Sequence, residues 1–153
     1  MKVIALDQST SITAYSVWNK GKLKDYGVIK SDPKEKNPVG RMRQMYEMIK
    51  DKIESEKPDW IAIEGVQYQT NQRIYSMLSQ LQGVLFALFF YLDIGFTVVE
   101  VKSWKSLAKV QGRKRNEQKN AAIQLIKEKY NADVSEDEAE SILIGEWVIQ
   151  NME

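Results

Sequence analysis

The chain contains no cysteine and no histidine. Without cysteine it has no disulfide framework, no thiolate zinc site and no cysteine nucleophile. Without histidine it has no Ser-His-Asp triad, no HExxH metal site and no imidazole general base. Charge of one sign is also missing: 22 basic and 21 acidic residues leave a net charge of +1, which offers no bulk attraction for nucleic acid. Long apolar runs are absent too. The longest, Val84 to Leu92, has nine residues, about half of what a membrane span needs. The opening Met1-Lys2-Val3-Ile4-Ala5-Leu6-Asp7 meets an acid after four apolar residues, too few for a signal-peptide core. These exclusions predict a cytoplasmic protein whose chemistry runs on carboxylates, hydroxyls, lysines or bound metal.

What is present is enough for one domain over residues 1–153, with 43% hydrophobic residues to build its core. Three strand-like runs open the chain, Val3 to Leu6, Thr13 to Trp18 and Leu23 to Ile29. The last two are joined by Asn19-Lys20-Gly21-Lys22, a hairpin turn. Met42, Met45, Ile49 and Ile53 recur at helical spacing within a helix from about Val39 to Lys57, a stripe suited to core packing. Trp60 to Glu64 reads as a buried strand ending in an acid, Asn71 to Leu92 as a second helix, and Phe96 to Val101 as a fifth strand. Helices over Lys102 to Lys109, Asn116 to Tyr130 and Ser135 to Gln150 complete the chain, with Asn116 and Ser135 as N-caps and Ser135-Glu136-Asp137-Glu138 as a capping box. This order predicts an α/β fold in which a mixed five-stranded sheet is flanked by helices.

Ligands of such sheets sit beyond the carboxyl ends of the strands. Asp7 and Glu64 both end predicted strands, and Asp137 and Glu140 share a face near the start of the last helix. That face continues through Ser141, Ile144 and Val148, so the two acids point toward the sheet rather than water. Two like charges 4 Å apart repel by about 4 kcal/mol at an effective dielectric near 20. Divalent cations remove that penalty, and oxygen ligands suit Mg²⁺ or Mn²⁺ rather than zinc. Two-metal phosphodiester hydrolysis matches such a site and needs no histidine. Read singly, each acid is equally well a solvated turn residue or, for Asp137, a complement to the helix dipole.

Several segments carry a family resemblance. Leu6-Asp7-Gln8-Ser9-Thr10-Ser11-Ile12-Thr13-Ala14-Tyr15-Ser16-Val17 resembles the first motif of RNase H-like folds. Ile61-Ala62-Ile63-Glu64-Gly65-Val66 resembles the second motif of RuvC-type Holliday junction resolvases, and Leu78-Ser79-Gln80-Leu81-Gln82-Gly83-Val84 their following helix. Asp137-Glu138-Ala139-Glu140-Ser141-Ile142 resembles their closing motif. The similarity covers nearly the whole chain in order and is nearest to the short RuvC-like resolvases of bacteriophages. It implies an RNase H-like fold and a homodimeric, Mg²⁺-dependent (or Mn²⁺-dependent) endonuclease cutting branched DNA in the bacterial host cell. Asp7, Glu64, Asp137 and Glu140 would hold two ions. Glu140 stands where the family has Asp, and Gln8-Ser9 replaces the usual turn; neither change removes a carboxylate.

The charge balance hides an uneven distribution. Val101 to Asn120 carries seven basic residues (Lys102, Lys105, Lys109, Arg113, Lys114, Arg115, Lys119) against Glu117, whereas Asn131 to Glu153 carries seven acids and no base. Basic side chains beside an acidic metal site suit a phosphodiester substrate, with Gly112-Arg113-Lys114-Arg115 in a loop close to DNA. A solvated helix face plus a basic loop is the plainer alternative. Tyr68, in an amide-rich segment after Glu64, is placed by the resemblance where an aromatic helps open the junction. Gly83 lies inside a helix, where glycine costs about 1 kcal/mol relative to alanine. With Leu78, Leu81 and Leu85 it marks, by the resemblance, a dimer face; packing within one chain explains it equally well. Two other functional readings stay open: a catalytically weak branched-DNA-binding protein of the same fold, and an actin-like nucleotide phosphohydrolase fragment. The eight glycines and the short chain count against the second.

Overall fold

A computed structural model of the chain describes residues 1–107 and 114–152. Arg113, Lys109 and Gly112 lie outside the described residues. The elements run β1 (Lys2–Asp7), β2 (Ile12–Asn19), β3 (Lys22–Lys30), α1 (Pro38–Glu56), β4 (Trp60–Glu64), α2 (Gln72–Tyr91), β5 (Gly95–Val99), α3 (Val101–Leu107), α4 (Arg115–Tyr130) and α5 (Glu136–Asn151). They form a five-stranded sheet of order β3-β2-β1-β4-β5. β1, β2 and β3 are antiparallel neighbours, while β4 and β5 extend the sheet in parallel with β1. The carboxyl ends of β1, β3, β4 and β5 therefore share one end of the sheet, together with the start of β2.

Alternation along the strands divides the interior. Ile4, Leu6, Val17, Ile61 and Ile63 face α1 and α2, where Met45, Ile49, Ile53, Leu81, Leu85, Leu88 and Phe89 cover them. Val3, Ala5, Trp18, Ala62 and Val99 face the opposite layer, built from Trp104, Ala122, Ile126, Ala139, Ile142 and Ile144. The methionine–isoleucine stripe of α1 packs in the core as the spacing predicts, with Met45 and Ile49 fully buried and Met42 at its margin.

Local chemistry sets the boundaries. Lys20 and Gly21, both at positive φ (51° and 73°), form the two-residue hairpin turn, and Asn19 pairs with Lys22 across it. Asn37 caps α1 by accepting from the Val39 amide at 3.0 Å, with Pro38 in the first turn where its missing N–H is harmless. At α5 the capping box is reciprocal: the Glu138 amide donates to Ser135 Oγ at 3.3 Å and the Ser135 amide donates to Glu138 Oε1 at 3.0 Å. Two expectations fail by a few residues. Asn116 lies inside the first turn of α4, whose N-cap is Lys114, because Glu117 reaches back to accept the Lys114 amide at 3.2 Å. β5 ends at Val99, and Val101 already begins α3.

α5 lies against β1 and β2 through a specific close approach. Trp18 Nε1 donates to Ser16 Oγ at 2.9 Å, and Ser16 Oγ donates to the Ser141 carbonyl of α5 at 2.7 Å. Opposite them, a Cβ on Gly145 would collide with the Trp18 indole. Gly145→Ala should therefore destabilise the fold by about 1–3 kcal/mol through overpacking. Equilibrium denaturant unfolding of the variant against the parent measures this.

Candidate active site

Four carboxylates meet at the shared end of the sheet. β1 delivers Asp7 at its last residue and β4 delivers Glu64 at its last residue, while the first turns of α5 deliver Asp137 and Glu140. Oxygens of Asp7, Asp137 and Glu140 all lie within 4.8 Å of one another, and each side chain is half-buried. Glu64 stands outside this trio but reaches Asp7 through a side-chain hydrogen bond. The inward turn of α5 is as the sequence pattern predicts: Ser141, Ile144 and Val148 are buried, which aims the acids at the sheet. Glu138, by contrast, is used by the capping box.

The cluster is electrostatically uncomfortable. Burial, followed by the charges of Glu64 and Glu140, holds the Asp7 carboxyl well above its usual range, and a hydrogen bond with Glu140 adds to the shift. Burial pushes Glu64 up to about 7, against the pull of a hydrogen bond from Trp104. Burial also raises Glu140. Asp137 is raised by burial and then by Glu136, with Lys119 opposing. Oxygen-only donors that repel one another and are shielded from water suit a hard divalent cation such as Mg²⁺ or Mn²⁺.

Residues beside the acids hold them in place, and local sequence patterns do not single these out. Trp104 Nε1 donates to Glu64 Oε1 at 3.0 Å from a fully buried ring, and Gln82 Nε2 of α2 donates to the Glu64 main-chain carbonyl at 2.8 Å. Locally, Trp104 has the signature of an ordinary core tryptophan; only the packing of α3 beside β4 brings it to the acid. Gln8 follows Asp7 directly and is 7% exposed, with neither side-chain atom hydrogen-bonded among the described residues. It lines a cleft of about 80 Å³ with Glu64, Gln67, Gln69 and Leu78. Its one sequence signal is its place after the first acid.

The basic residues are not equivalent. Lys105 donates to Gln118 Oε1 at 3.1 Å and lies near enough to Glu64 and Glu140 to lower both carboxyl pKa values. Lys119 is taken up by Glu136 at 2.6 Å. Lys102 is 83% exposed and pairs with Glu100 at 3.1 Å. Lys114 and Arg115 are exposed at the start of α4. Tyr68 is 77% exposed in the segment after β4 and meets Tyr75 edge-on at 5.6 Å between ring centres.

The proposed dimer face needs correction. Leu81 and Leu85 are fully buried against the sheet, and Leu78 is half-buried beside Glu64, because α2 turns these positions inward. Gly83 is instead exposed, as are Val84, Phe90 and Tyr91 of the same helix. By length and composition α2 would also suffice to cross a bilayer, a property the nine-residue run did not predict; its inner side is occupied by the core.

The sheet order, with acids at the ends of β1 and β4 and at the start of the last helix, defines an RNase H-like fold of the RuvC kind. RuvC of Thermus thermophilus, solved in complex with Holliday junction substrate, superposes with a TM-score of 0.76 at 12% identity, over 96% of this chain and 92% of that one. The fowlpox virus resolvase, solved with Holliday junction DNA, gives 0.64 at 16% identity over 99% of each chain. In sequence, the chain is 31% identical over 88 residues to the crossover junction endodeoxyribonuclease RuvC of Alkaliphilus metalliredigens, covering 55% of this chain and 53% of that protein. It is 30% identical over 89 residues to that of Fusobacterium nucleatum, covering 56% and 46%. The chain thus spans about half the length of the curated relatives it matches. Residues 1–146 match the model of the family described as Lactococcus phage M3 protein, and the chain belongs to that family.

The raised carboxyl pKa values make stability depend on pH in a defined direction. Between the ordinary carboxylate range and about pH 7, the folded chain binds protons that the unfolded chain has released, so stability falls as pH rises through that window. In chelator, the thermal midpoint should be higher at pH 5 than at pH 8, and Asp7→Asn should raise the pH 8 value by a few degrees by removing one repelling charge. Differential scanning calorimetry reads both; a midpoint that rises from pH 5 to pH 8 contradicts the assignment.

Proposed function

We propose that the chain is a structure-selective endonuclease that hydrolyses phosphodiesters of four-way junctions and related branched DNA, forks and flaps included. In this reading residues 1–153 form a single RNase H-like nuclease domain that acts in the cytoplasm of the bacterial host. The observation that carries the reading is the convergence of Asp7, Asp137 and Glu140, with Glu64 beside them, at the ligand-binding end of a RuvC-like sheet. Asp7, Glu64, Asp137 and Glu140 would hold Mg²⁺ or Mn²⁺, two ions per site. Bound ions of this kind activate a water and stabilise the leaving oxygen.

The chain's own residues then have separable tasks. Trp104 fixes the rotamer of Glu64 and keeps water from one side of it. Lys105, oriented by Gln118, places a cation beside the acids where a phosphate would otherwise meet only negative charge. Lys102, Lys114 and Arg115 offer exposed cations to the flanking backbone; Arg113 joins them on sequence, and Lys119 acts through its pair with Glu136. Tyr68 presents an exposed ring able to stack on an unpaired base.

Two copies would bring two sites to the two opposed strands of a junction. The outer side of α2 supports this, because no charged residue lies between Arg73 and Asp93 and a Cβ at Gly83 would meet no atom within 4 Å among the described residues. Gly83→Ala should leave the fold intact or slightly firmer, by up to about 1 kcal/mol. If a second copy packs closely there, the same change should weaken self-association in sedimentation velocity. An unaltered dimer would move the interface elsewhere.

Purified protein incubated with labelled four-way junction and Mg²⁺ should give paired nicks near the crossover, lost on chelation. Asp7→Asn and Glu64→Gln should each abolish cleavage while junction binding survives. Cleavage unchanged by Asp7→Asn would overturn the site assignment, and binding without cleavage in either Mg²⁺ or Mn²⁺ would leave a branched-DNA-binding protein.

A further inference from the structure

Between the start of β2, the end of β3 and the start of α1 lies a cleft of about 430 Å³, separate from the carboxylates. Its polar lining includes Lys30, Lys36, Arg41, Glu35, Ser11 and Ser31. We propose that this cleft binds a backbone phosphate of the DNA strand that crosses the carboxylate cluster, with Lys30, Lys36 and Arg41 as its cationic contacts. The inference rests on the reading of the chain as a DNA nuclease.

Three observations carry it. The first is charge. Against three cations the lining offers one carboxylate, and Glu35 is already engaged: its Oε1 accepts the Asn37 amide at 2.8 Å, and its carboxylate packs over Gly40. Neither Lys30 nor Lys36 is held in an ion pair among the described residues. The first turn of α1 contains no acid, so the positive end of a 19-residue helix adds to the same field.

The second observation is a built scaffold. Arg41 Nη1 donates to the carbonyls of Glu35 at 3.3 Å and Lys36 at 3.4 Å, and its Nε is shielded from solvent without a partner among the described residues. Ser31 Oγ donates to the Thr10 carbonyl at 2.9 Å, and its amide donates to the Ser11 carbonyl at 3.0 Å. These bonds tie the segment after β3 to the segment after β1, which holds the cleft in fixed relation to Asp7.

The third is position. Lys30 pairs with Ile12 and Asp7 pairs with Ala14, so Lys30 stands two strands across from Asp7 and two residues further out. At about 4.8 Å between strands and about 3.4 Å per residue, the separation is about 12 Å. One DNA strand carries a phosphate about every 3.4 Å of helix axis, so 12 Å corresponds to two to four nucleotides. In sheet order the cleft lies on the β3 side of the acids and Lys105 follows β5 on the other. The strand would therefore be held by cations on both sides of the scissile bond.

The test measures binding with cleavage silenced. Asp7→Asn protein is titrated, without metal, against four-way junctions in which single phosphates within four nucleotides of the crossover are replaced by neutral methylphosphonates. We expect one or two positions at which the replacement weakens binding about five- to tenfold. The same replacements should have no further effect once Lys30→Gln and Lys36→Gln are added, and the added pair should flatten the salt slope by about 1. Arg41→Lys and Arg41→Gln are compared separately, with thermal midpoints, because Arg41 also holds the loop. Losses that simply add, or an affinity and slope indifferent to Lys30 and Lys36, would overturn the subsite. So would inorganic phosphate protecting the parent but not the Lys30/Lys36 variant while the methylphosphonate map stays flat, since that marks a free-anion site. Junctions that bind and are cleaved by the parent in Mg²⁺ uphold the nuclease reading in any of these cases; failure to bind junctions at all overturns both.

Discussion

Everything at this site follows from one constraint: α5 must lie close enough to the sheet to put Asp137 and Glu140 against the end of β1. Gly145 permits the approach, since any side chain there would strike Trp18. The Trp18–Ser16–Ser141 hydrogen bonds then set how α5 sits along the strands. Ile142, Ile144 and Val148 supply the burial that makes the position favourable. The four carboxylates repel one another, and no local preference would assemble them. They are assembled because the apolar side of α5 has nowhere better to go. The elevated carboxyl pKa values record chiefly the burial this imposes and, for Asp7, next the charges of Glu64 and Glu140.

The near-zero net charge has a structural counterpart. The acids between Asn131 and Glu153 are partly neutralised by α4: Lys119 pairs with Glu136, Lys127 with Asp133 and Lys129 with Glu146. Of the basic stretch, Lys119 is thus taken up by the acidic one, and the other two acids are met by Lys127 and Lys129 further along α4. Among the described residues of the basic stretch, those outside any ion pair are Lys105 near the acids and Lys114 and Arg115, exposed at the start of α4. Exposed ion pairs contribute little to stability, so their main effect is to decide which cations stay available.

The strands and helices were legible because each carries a local signal that agrees with its final environment. β1 and β4 are short apolar runs that end in the acids the site needs, the hairpin has its glycine where φ is positive, and Ser135 with Glu138 writes the start of α5. That Asp7, Glu64, Asp137 and Glu140 come together was legible for the same reason, since strand ends and a helix start are marked along the chain. What was not legible depends on contacts distant in sequence. Trp104 meets Glu64 across 40 positions and Gln82 meets it across 18. The basic cleft joins segments from β2, β3 and α1, and in the sequence Lys30, Lys36 and Arg41 read as scattered surface charges.

Helix α2 shows the limit most clearly. Periodicity assigns a helix its buried side by contrast between apolar and polar positions, and α2 has too little contrast: Leu81 and Leu85 face inward, yet Val84 and Phe90 on the outside are no more polar. Only the sheet decides which side is which. That choice has a chemical consequence, because the inner side that covers the core also carries Gln82 to the Glu64 carbonyl and Leu78 into the cleft beside that acid. The outer side carries Gly83. One helix therefore joins the strand end that carries Glu64 to a stretch without charged residues between Arg73 and Asp93.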